Sequence, residues 1–408
     1  MNSKHKTNVY GPRPQRGVSL VELMVALVIG FLLLLGLVQI FGATRATYQT
    51  QEGLSRVQEN GRFATQFMQR QLRMVGFMGC GSDSGRALQD TFVNHLAMFA
   101  DGSVPGGELF RFQRPIEAFT EGEMDRPAEL AGDAIVAGTD VLILRIFGDE
   151  SLPVMSVQKS ADNLQLTLSL PATAATSPIV QAGEDTAIYA VQNCASADVF
   201  AATFTAGSLI VPGLGAPNVY ADSTVTNCGN AGGCPWDHRI SNVNLNSRPM
   251  YGASQLNAEL HRAEYFALFI RNNPVGIPSL YVRRFERTGT ALGAAEELVE
   301  GVDNLQLRFG FDSSPTPNGV IDEMRTAEEV VDGFADAVAI DNQWQRVLSV
   351  RIGMLLRSPA PAAVSTTDGA GDARTFDLLG VTITPPTDGS IRQIYETTIA
   401  LRNRIFNS

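Results

Sequence analysis

The residues of this chain with the most recognisable chemistry are its four cysteines, Cys80, Cys194, Cys228 and Cys234. An even number of cysteines in an oxidising compartment predicts disulfides, and four cysteines allow three pairings. We favour Cys228 with Cys234, which would close the glycine-rich loop CGNAGGC, and Cys80 with Cys194. By the loop-entropy estimate, the longer of these closures would add about 4–5 kcal/mol to stability.

A zinc site is the alternative use of the same sulfur atoms. Cys228, Cys234 and His238 follow the spacing C-x5-C-x3-H, and Cys194 would supply a fourth ligand. The gap between the two thiolates is wider than the gap of about two to four residues found in most structural zinc sites. The spacing therefore favours disulfides, and we predict no metal at these residues.

The acidic segment 312–323 raises the question of calcium, because it combines oxygen-bearing side chains with a glycine turn. An EF-hand loop requires glycine at its sixth position, where this segment has Pro317, so the register fails. The remaining candidates for a weak calcium site are Asp312, Asn318, Asp322 and Glu323. A solvated hairpin turn is the simpler interpretation, and we favour it.

Catalytic machinery is not evident in the sequence. The four histidines are His5, His95, His238 and His261, and none lies beside a G-x-S-x-G nucleophile motif. The glycines of the segment 213–215 lack the strand-to-helix context of a dinucleotide fingerprint. We therefore predict that the chain is not an enzyme and has no cofactor.

The overall composition is that of an acidic globular protein. Of the 408 residues, 44% are hydrophobic and 18% are charged, and the formal net charge is −11. A protein that binds a phosphate backbone needs an excess of lysine and arginine, so nucleic acid is excluded as an expected partner.

The N-terminal segment differs sharply from this average. Residues 1–17 contain four basic and no acidic side chains, and residues 18–41 form an apolar run whose one charged side chain is Glu22. A helix over this run would be about 36 Å long, enough to cross a hydrocarbon core of about 30 Å. The run is too long for a secretory signal, and no small-residue cleavage site follows it. Because basic flanks stay in the cytoplasm, the rest of the chain is expected on the outer side of the inner membrane.

The string RGVSLVEL around Gly17, Val18 and Glu22 resembles the cleavage and methylation motif of type IV prepilins and type II secretion pseudopilins. The resemblance implies cleavage after Gly17 by prepilin peptidase and N-methylation of Val18, where phenylalanine is the usual residue. It also implies that Glu22 pairs with the free amine of a neighbouring subunit. A carboxylate in an apolar environment needs such a partner.

Beyond the apolar run, the absence of proline from Gln15 through Val104 allows one long helix, expected to end near residues 76–81. An apolar face is formed at helical spacing by Val57, Ala64, Met68, Leu72 and Val75. Alternating or β-branched segments then predict strands at Val141–Phe147, Leu164–Leu170, Thr186–Gln192, Tyr265–Ile270, Leu280–Glu286, Leu305–Phe311, Val347–Leu356, Thr375–Thr382 and Ile394–Leu401. A short helix is predicted at Ala294–Glu300 with Gly301 as its C-cap. The fold class is α+β, a long pilin helix on a large antiparallel β-rich head.

Four blocks of the chain resemble the PilW family of minor pilins: residues 48–80, 298–311, 344–358 and 391–404. The resemblance implies a minor pilin that takes part in priming and assembly of type IV pili and enters the filament near its tip. Implied partners are other minor pilins, the major pilin, a tip adhesin, prepilin peptidase and inner-membrane lipid. The last two blocks also resemble large pseudopilins of type II secretion, which is the alternative function.

Four segments follow from this interpretation. They are a cleaved leader (1–17), a transmembrane and filament-core helix (18–41), an amphipathic helix (42–80) and a periplasmic head (81–408).

Overall fold

The computed structural model describes residues 17, 19–77, 92–94, 111–112, 114–122, 127, 130–159, 165–180, 187–193, 196–212, 258–284, 293–334, 337–358 and 374–404. A helix of 55 residues, α1 (Leu20–Met74), precedes a region rich in β-strands. This arrangement confirms the α+β class.

The ends of α1 follow from local sequence. Ser19 is the N-cap, and its hydroxyl accepts a hydrogen bond from the backbone N–H of Glu22 at 3.2 Å. The helix ends at Met74, and Gly76 follows with φ of +74°, a conformation that glycine adopts without strain. The predicted long helix is therefore confirmed, although it ends at Met74, just before the predicted range of 76–81.

The strands are numbered in chain order. They are β1 (Phe92–Asn94), β2 (Ile116–Thr120), β3 (Asp140–Pro153), β4 (Ser156–Lys159), β5 (Gln165–Ser169), β6 (Ala187–Asn193), β7 (Ser196–Thr205), β8 (Ser208–Pro212), β9 (Glu259–Asn272), β10 (Pro278–Arg284), β11 (Glu296–Glu300), β12 (Val302–Phe311), β13 (Glu323–Arg325), β14 (Val347–Arg357), β15 (Phe376–Leu378), β16 (Val381–Ile383) and β17 (Arg392–Ala400). Two short helices, α2 (Ala327–Val331) and α3 (Ala337–Gln345), lie between β13 and β14.

These strands form two main sheets. The large sheet has 11 strands, with the path β11-β10-β9-β6-β7-β8-β5-β4, β3 paired to β9, and β2 paired to β3. The small sheet has four strands in the order β13-β12-β14-β17, and β15 and β16 form a separate hairpin. Among the described pairs only β1 with β7 is parallel, so the expectation of antiparallel sheets is confirmed.

The main hydrophobic core lies where α1 meets both sheets. The helix contacts β3 and β11 of the large sheet and β14 and β17 of the small sheet. Alternate residues of β12 and β14 point into this core, so each strand buries one face against the helix side of the sheet. The two sheets therefore share one core with the C-terminal half of α1.

Most of the predicted strands are confirmed. Eight of the predicted segments correspond to β3, β5, β6, β9, β10, β12, β14 and β17. The segment Thr375–Thr382 is instead the β15–β16 hairpin, because Leu379 (φ 53°) and Gly380 (φ 88°) both adopt positive φ. Two consecutive residues of this kind make the tight turn that joins antiparallel strands.

The predicted short helix at Ala294–Glu300 is wrong. Glu296–Glu300 is β11, which pairs antiparallel with β10 and buries Val299. The adjacent acidic side chains Glu296 and Glu297 suit a helix by propensity, but pairing with β10 overrides that preference. Gly301 is not a helix C-cap, since it joins β11 of the large sheet to β12 of the small sheet.

A buried cluster of charged side chains connects the large sheet to α3. Arg145, 1% exposed, donates to Glu117 at 2.9 Å, and Arg114 binds both Glu117 and Asp341, the latter at 2.7 Å. Burial acts to raise the pKa of Glu117, but the two guanidinium groups outweigh it and hold that pKa below its usual value. The cluster thus pairs opposite charges of β2, β3 and α3 inside the protein.

Candidate assembly site

The C-terminal half of α1 is docked on the head. Its buried positions repeat every three or four residues, which places them on one helix face. They are Gly53, Val57, Gly61, Ala64, Met68 and Leu72, followed by Val75 just after the helix. The apolar face predicted from the sequence is therefore confirmed.

Polar contacts fix the axial position of the docked half. Asn60 donates to the backbone carbonyl of Glu300 at 2.9 Å, and Gln69 donates to the hydroxyl of Thr397 at 3.2 Å. At the helix end, Asn403 donates to the carbonyl of Arg73 at 3.1 Å. These contacts come from β11, β17 and the last described turn, so the C-terminal part of the chain holds the helix.

Gly61 allows a close approach between α1 and β17. A Cβ atom at this position would lie 2.5 Å from the ring of Tyr395, so the ring packs directly on the helix backbone. By contrast, a Cβ atom added at Gly30, Gly36 or Gly42 would have no atom of another element within 4 Å. Close packing against the head therefore accounts for Gly61 but not for the other three glycines.

The N-terminal half of α1 has no contact with the described part of the head. Every large apolar side chain from Leu20 to Phe41 is exposed, with exposed fractions from 45% to 74%. Among the described residues, α1 is the one helix long and apolar enough to cross a membrane. Such a continuous apolar surface must be covered by lipid or by other apolar helices.

The first turn of α1 presents a carboxylate. Glu22 is exposed, and its side chain forms no hydrogen bond or ion pair with the described residues. The capping bond to Ser19 uses its backbone N–H and leaves the carboxylate available. The partial positive charge of a helix N-terminus favours a carboxylate here. Gly17 is also exposed, whereas Val18 lies outside the described residues.

Several of the predicted site residues also lie outside the described residues. These are the four cysteines, Cys80, Cys194, Cys228 and Cys234, together with His238. Their pairing as disulfides therefore stays a prediction.

The acidic segment after β12 is a turn organised by its own carboxylates. Asp312 is fully buried and accepts hydrogen bonds from the backbone N–H groups of Ser314, Asn318 and Gly319 at 2.7–3.1 Å. Burial acts to raise the pKa of Asp312, but these hydrogen bonds outweigh it and lower that pKa. The carboxylate of Asp312 is therefore used as a hydrogen-bond acceptor for backbone N–H groups of the turn.

The other calcium candidates are engaged locally. Asp322 accepts from the backbone N–H of Ser313 at 2.9 Å, and Glu323 pairs with Arg325. Asn318 accepts from the N–H of Val320 at 2.9 Å. Within the described ranges, no group of three or more His, Cys, Asp or Glu side chains is placed to hold a metal ion.

A second charged network joins the start of β17 to β12 and β14. Arg392 donates to both carboxylate oxygens of Asp388 at 2.8 Å and to Asp303 at 2.6 Å, and Arg357 also binds Asp388 at 2.9 Å. Burial acts to raise the pKa of Asp388, but Arg392 and the N–H of Ser390 outweigh it and lower that pKa to about 2.

Replacing Asp388 with asparagine is expected to destabilise the head in a pH-dependent way. Because the folded-state pKa is depressed, the stabilisation is fully present above the usual pKa of about 4 and is lost as the pH falls through about 2. The free energy of unfolding should fall by about 1 kcal/mol at pH 7 after allowance for solvent screening, and the difference should approach zero near pH 2. Chemical denaturation of both proteins at the two pH values measures this. An equal loss at both would contradict the assignment.

The residues that dock the helix were not identified from the sequence. Tyr395, Thr397 and Asn403 look like ordinary strand and loop residues, and only the structure shows that they meet α1. The small residue Gly61 on an otherwise apolar helix face was the available signal, since it marks a close approach.

Two segments of the chain match known families. Residues 267–403 match the family described as Type IV Pilus-assembly protein W, and residues 12–38 match the prokaryotic N-terminal methylation motif. No curated protein and no solved structure gave a significant match. The first segment includes the residues that dock α1 from β11, β17 and the last turn, and the second includes Gly17 and Glu22.

Proposed function

We propose that this chain, a pilin of the PilW family with a prepilin-type N-terminus, is a minor pilin that takes part in initiation and assembly of type IV pili. One observation carries the proposal. Among the described residues, the apolar half of α1 is exposed and does not contact the head, while the other half is fixed to a large head. A subunit built in this way can sit in a bilayer and later pack the same surface in a bundle of helices.

In the proposed pathway, prepilin peptidase cuts after Gly17, and Val18 becomes the methylated N-terminus. The chain is then divided into the leader (1–17), the membrane and filament-core helix (18–41), the amphipathic helix (42–80) and the head (81–408). The head lies in the periplasm while the helix is in the inner membrane, and the whole subunit enters the filament near its tip. Within the described part of the chain, the apolar half of α1 does not contact the head, and this supports the transfer, because the helix can leave lipid without unfolding the head.

Glu22 is the proposed assembly residue. Its exposed carboxylate lies five residues after the proposed cleavage point, next to the apolar surface that a filament would bury. The free amine of a neighbouring subunit is a partner of opposite charge, and an ion pair avoids a lone charge among apolar helices. The pairing would set the register between adjacent subunits.

The proposed role is structural rather than enzymatic. Pilins normally serve as structural subunits, and the family matches support that class. The proposed partners are other minor pilins, the major pilin and a tip adhesin in the filament, with prepilin peptidase and inner-membrane lipid before assembly.

Deletion of the gene for this chain tests the proposal against the alternative of a type II secretion pseudopilin. The proposal predicts the loss of surface pili, with the major pilin still present in the membrane and protein secretion unchanged. Restoration by the full-length chain is the control. Normal piliation together with a block in secretion would contradict the proposal and favour the alternative.

A further inference from the structure

One exposed stripe of α1 extends from the apolar run into the segment that precedes the head. It contains Phe41, Arg45 and Tyr48, which follow the spacing i, i+4, i+7 and so lie within an arc of about 60°. Phe41 is 72% exposed, Tyr48 is 66% exposed, and Arg45 is also exposed. The stripe therefore presents an apolar ring, a guanidinium and a phenol in successive turns of the helix.

Arg45 has no counter-ion within the described part of the chain. It is the one charged side chain between Glu22 and Glu52. Glu52 lies about 10 Å farther along the helix and pairs instead with Arg56 at 3.1 Å. The guanidinium of Arg45 is therefore available to an anion of another molecule.

The hydroxyl groups on either side of Arg45 are satisfied inside the helix. Thr44 and Thr47 each donate to the backbone carbonyl four residues earlier, at 2.8 Å and 2.9 Å. A hydroxyl bonded in this way loses little when water is removed around it. From Gly42 to Thr47, Arg45 is thus the one side chain that still requires polar surroundings.

The position of Arg45 along the helix matches the headgroup layer of a membrane. The proposed function places residues 18–41 in the bilayer, whose headgroups add about 5–7 Å on each side of the hydrocarbon core. The Cα atom of Arg45 lies about 6 Å beyond that of Phe41, and the Cα–Cβ bonds of a helix tilt toward its N-terminus, which here is the membrane. Tyr48 follows at about 10 Å, in the interfacial zone where tyrosine is enriched. The first buried position of α1 is Gly53, about 18 Å beyond Phe41, so the described contacts with the head begin beyond this layer.

We infer that Arg45 binds the phosphate of a phospholipid headgroup at the outer face of the inner membrane. The inference rests on the proposed function, because that function places the apolar run in the bilayer and the head outside it. A guanidinium can donate two parallel hydrogen bonds to one phosphate. Since no other lysine or arginine occurs from Val18 to Gln51, Arg45 is the basic side chain of the mature helix that can reach a headgroup. The contact is lost when the helix leaves the bilayer, so it opposes extraction of the subunit.

Lipid retention by the full-length chain tests this inference. The chain is reconstituted in vesicles of equal parts phosphatidylglycerol and a phosphate-free glucosyl diacylglycerol and is then extracted in mild detergent. The lipids that stay bound are counted by mass spectrometry. The ratio of retained phosphatidylglycerol to glycolipid should be about fivefold lower for Arg45→Gln than for the wild type, which is the effect of one basic residue at a membrane surface. Arg45→Lys keeps the charge and should keep most of the ratio.

Arg62→Gln is the matched control, because it removes an exposed arginine of the same helix about 25 Å farther from the bilayer, and it should leave the ratio unchanged. An unchanged ratio for Arg45→Gln, or an equal fall for Arg62→Gln, would overturn the inference. So would a wild-type ratio that inorganic phosphate in the buffer lowers to that of Arg45→Gln, since the arginine would then bind free phosphate. If the contact is rejected while deletion of the gene still removes pili, the proposed function stands.

Discussion

Replacing Glu22 with glutamine is expected to remove this chain from pili while leaving it folded in the membrane. The variant keeps the size of the side chain and the capping bond to Ser19, which uses the backbone N–H. It removes the negative charge, so the amine of the neighbouring subunit would be buried without a partner. Loss of one member of a buried pair costs about 3–5 kcal/mol, which corresponds to more than about a hundredfold in an equilibrium.

Immunoblotting of sheared pili and of membranes measures this effect. The variant should be present in membranes at the wild-type level and missing from pili. The matched control is Glu328→Gln, which neutralises an exposed glutamate on α2 and should enter pili normally. Normal incorporation of the Glu22 variant would rule out the charge pair as the basis of register.

Replacing Gly301 with alanine is expected to destabilise the head strongly. Gly301 has φ of +81°, and an added Cβ would lie 2.6 Å from the backbone carbonyl oxygen of Arg357. Its own N–H and C=O are hydrogen-bonded to Pro278 and Arg357 at 3.0 Å and 2.8 Å, so the chain cannot shift freely. Positive φ and a backbone clash together should cost about 3 kcal/mol or more.

Gly333→Ala separates the two causes. Gly333 has φ of +79°, but an added Cβ would have no atom within 4 Å. The loss of stability in this variant therefore measures the cost of the positive φ alone. This loss should be about 1 kcal/mol. Thermal or chemical unfolding of the two variants gives the difference. Equal losses would show that the contact with Arg357 does not matter.

The helix and most strands could be predicted because their signals are local. The run from Leu20 to Phe41 is continuously apolar and long enough to cross a membrane, the apolar face from Val57 to Val75 has the period of a helix, and β12 and β14 alternate as strands do. The error at β11 arose because two adjacent glutamates and a following glycine also suit a helix end. The conformation there is decided by pairing with β10, a tertiary contact that the local sequence does not show.

The N-terminal motif of the candidate site could be predicted from the sequence, whereas the docking of α1 on the head could not. The motif around Gly17 and Glu22 is a fixed pattern, so its residues could be named from the sequence. The docking of α1 depends on Tyr395 packing on Gly61 and on Asn403 reaching the end of the helix. These pairs are more than 300 residues apart in the chain, and no local pattern marks them.

The most direct test of the proposed function is the intact mass and N-terminal peptide of the mature protein isolated from membranes. We expect that residues 1–17 are removed and that the first residue is Val18 carrying one methyl group. A chain that retains residues 1–17, or that begins at another residue, would contradict it.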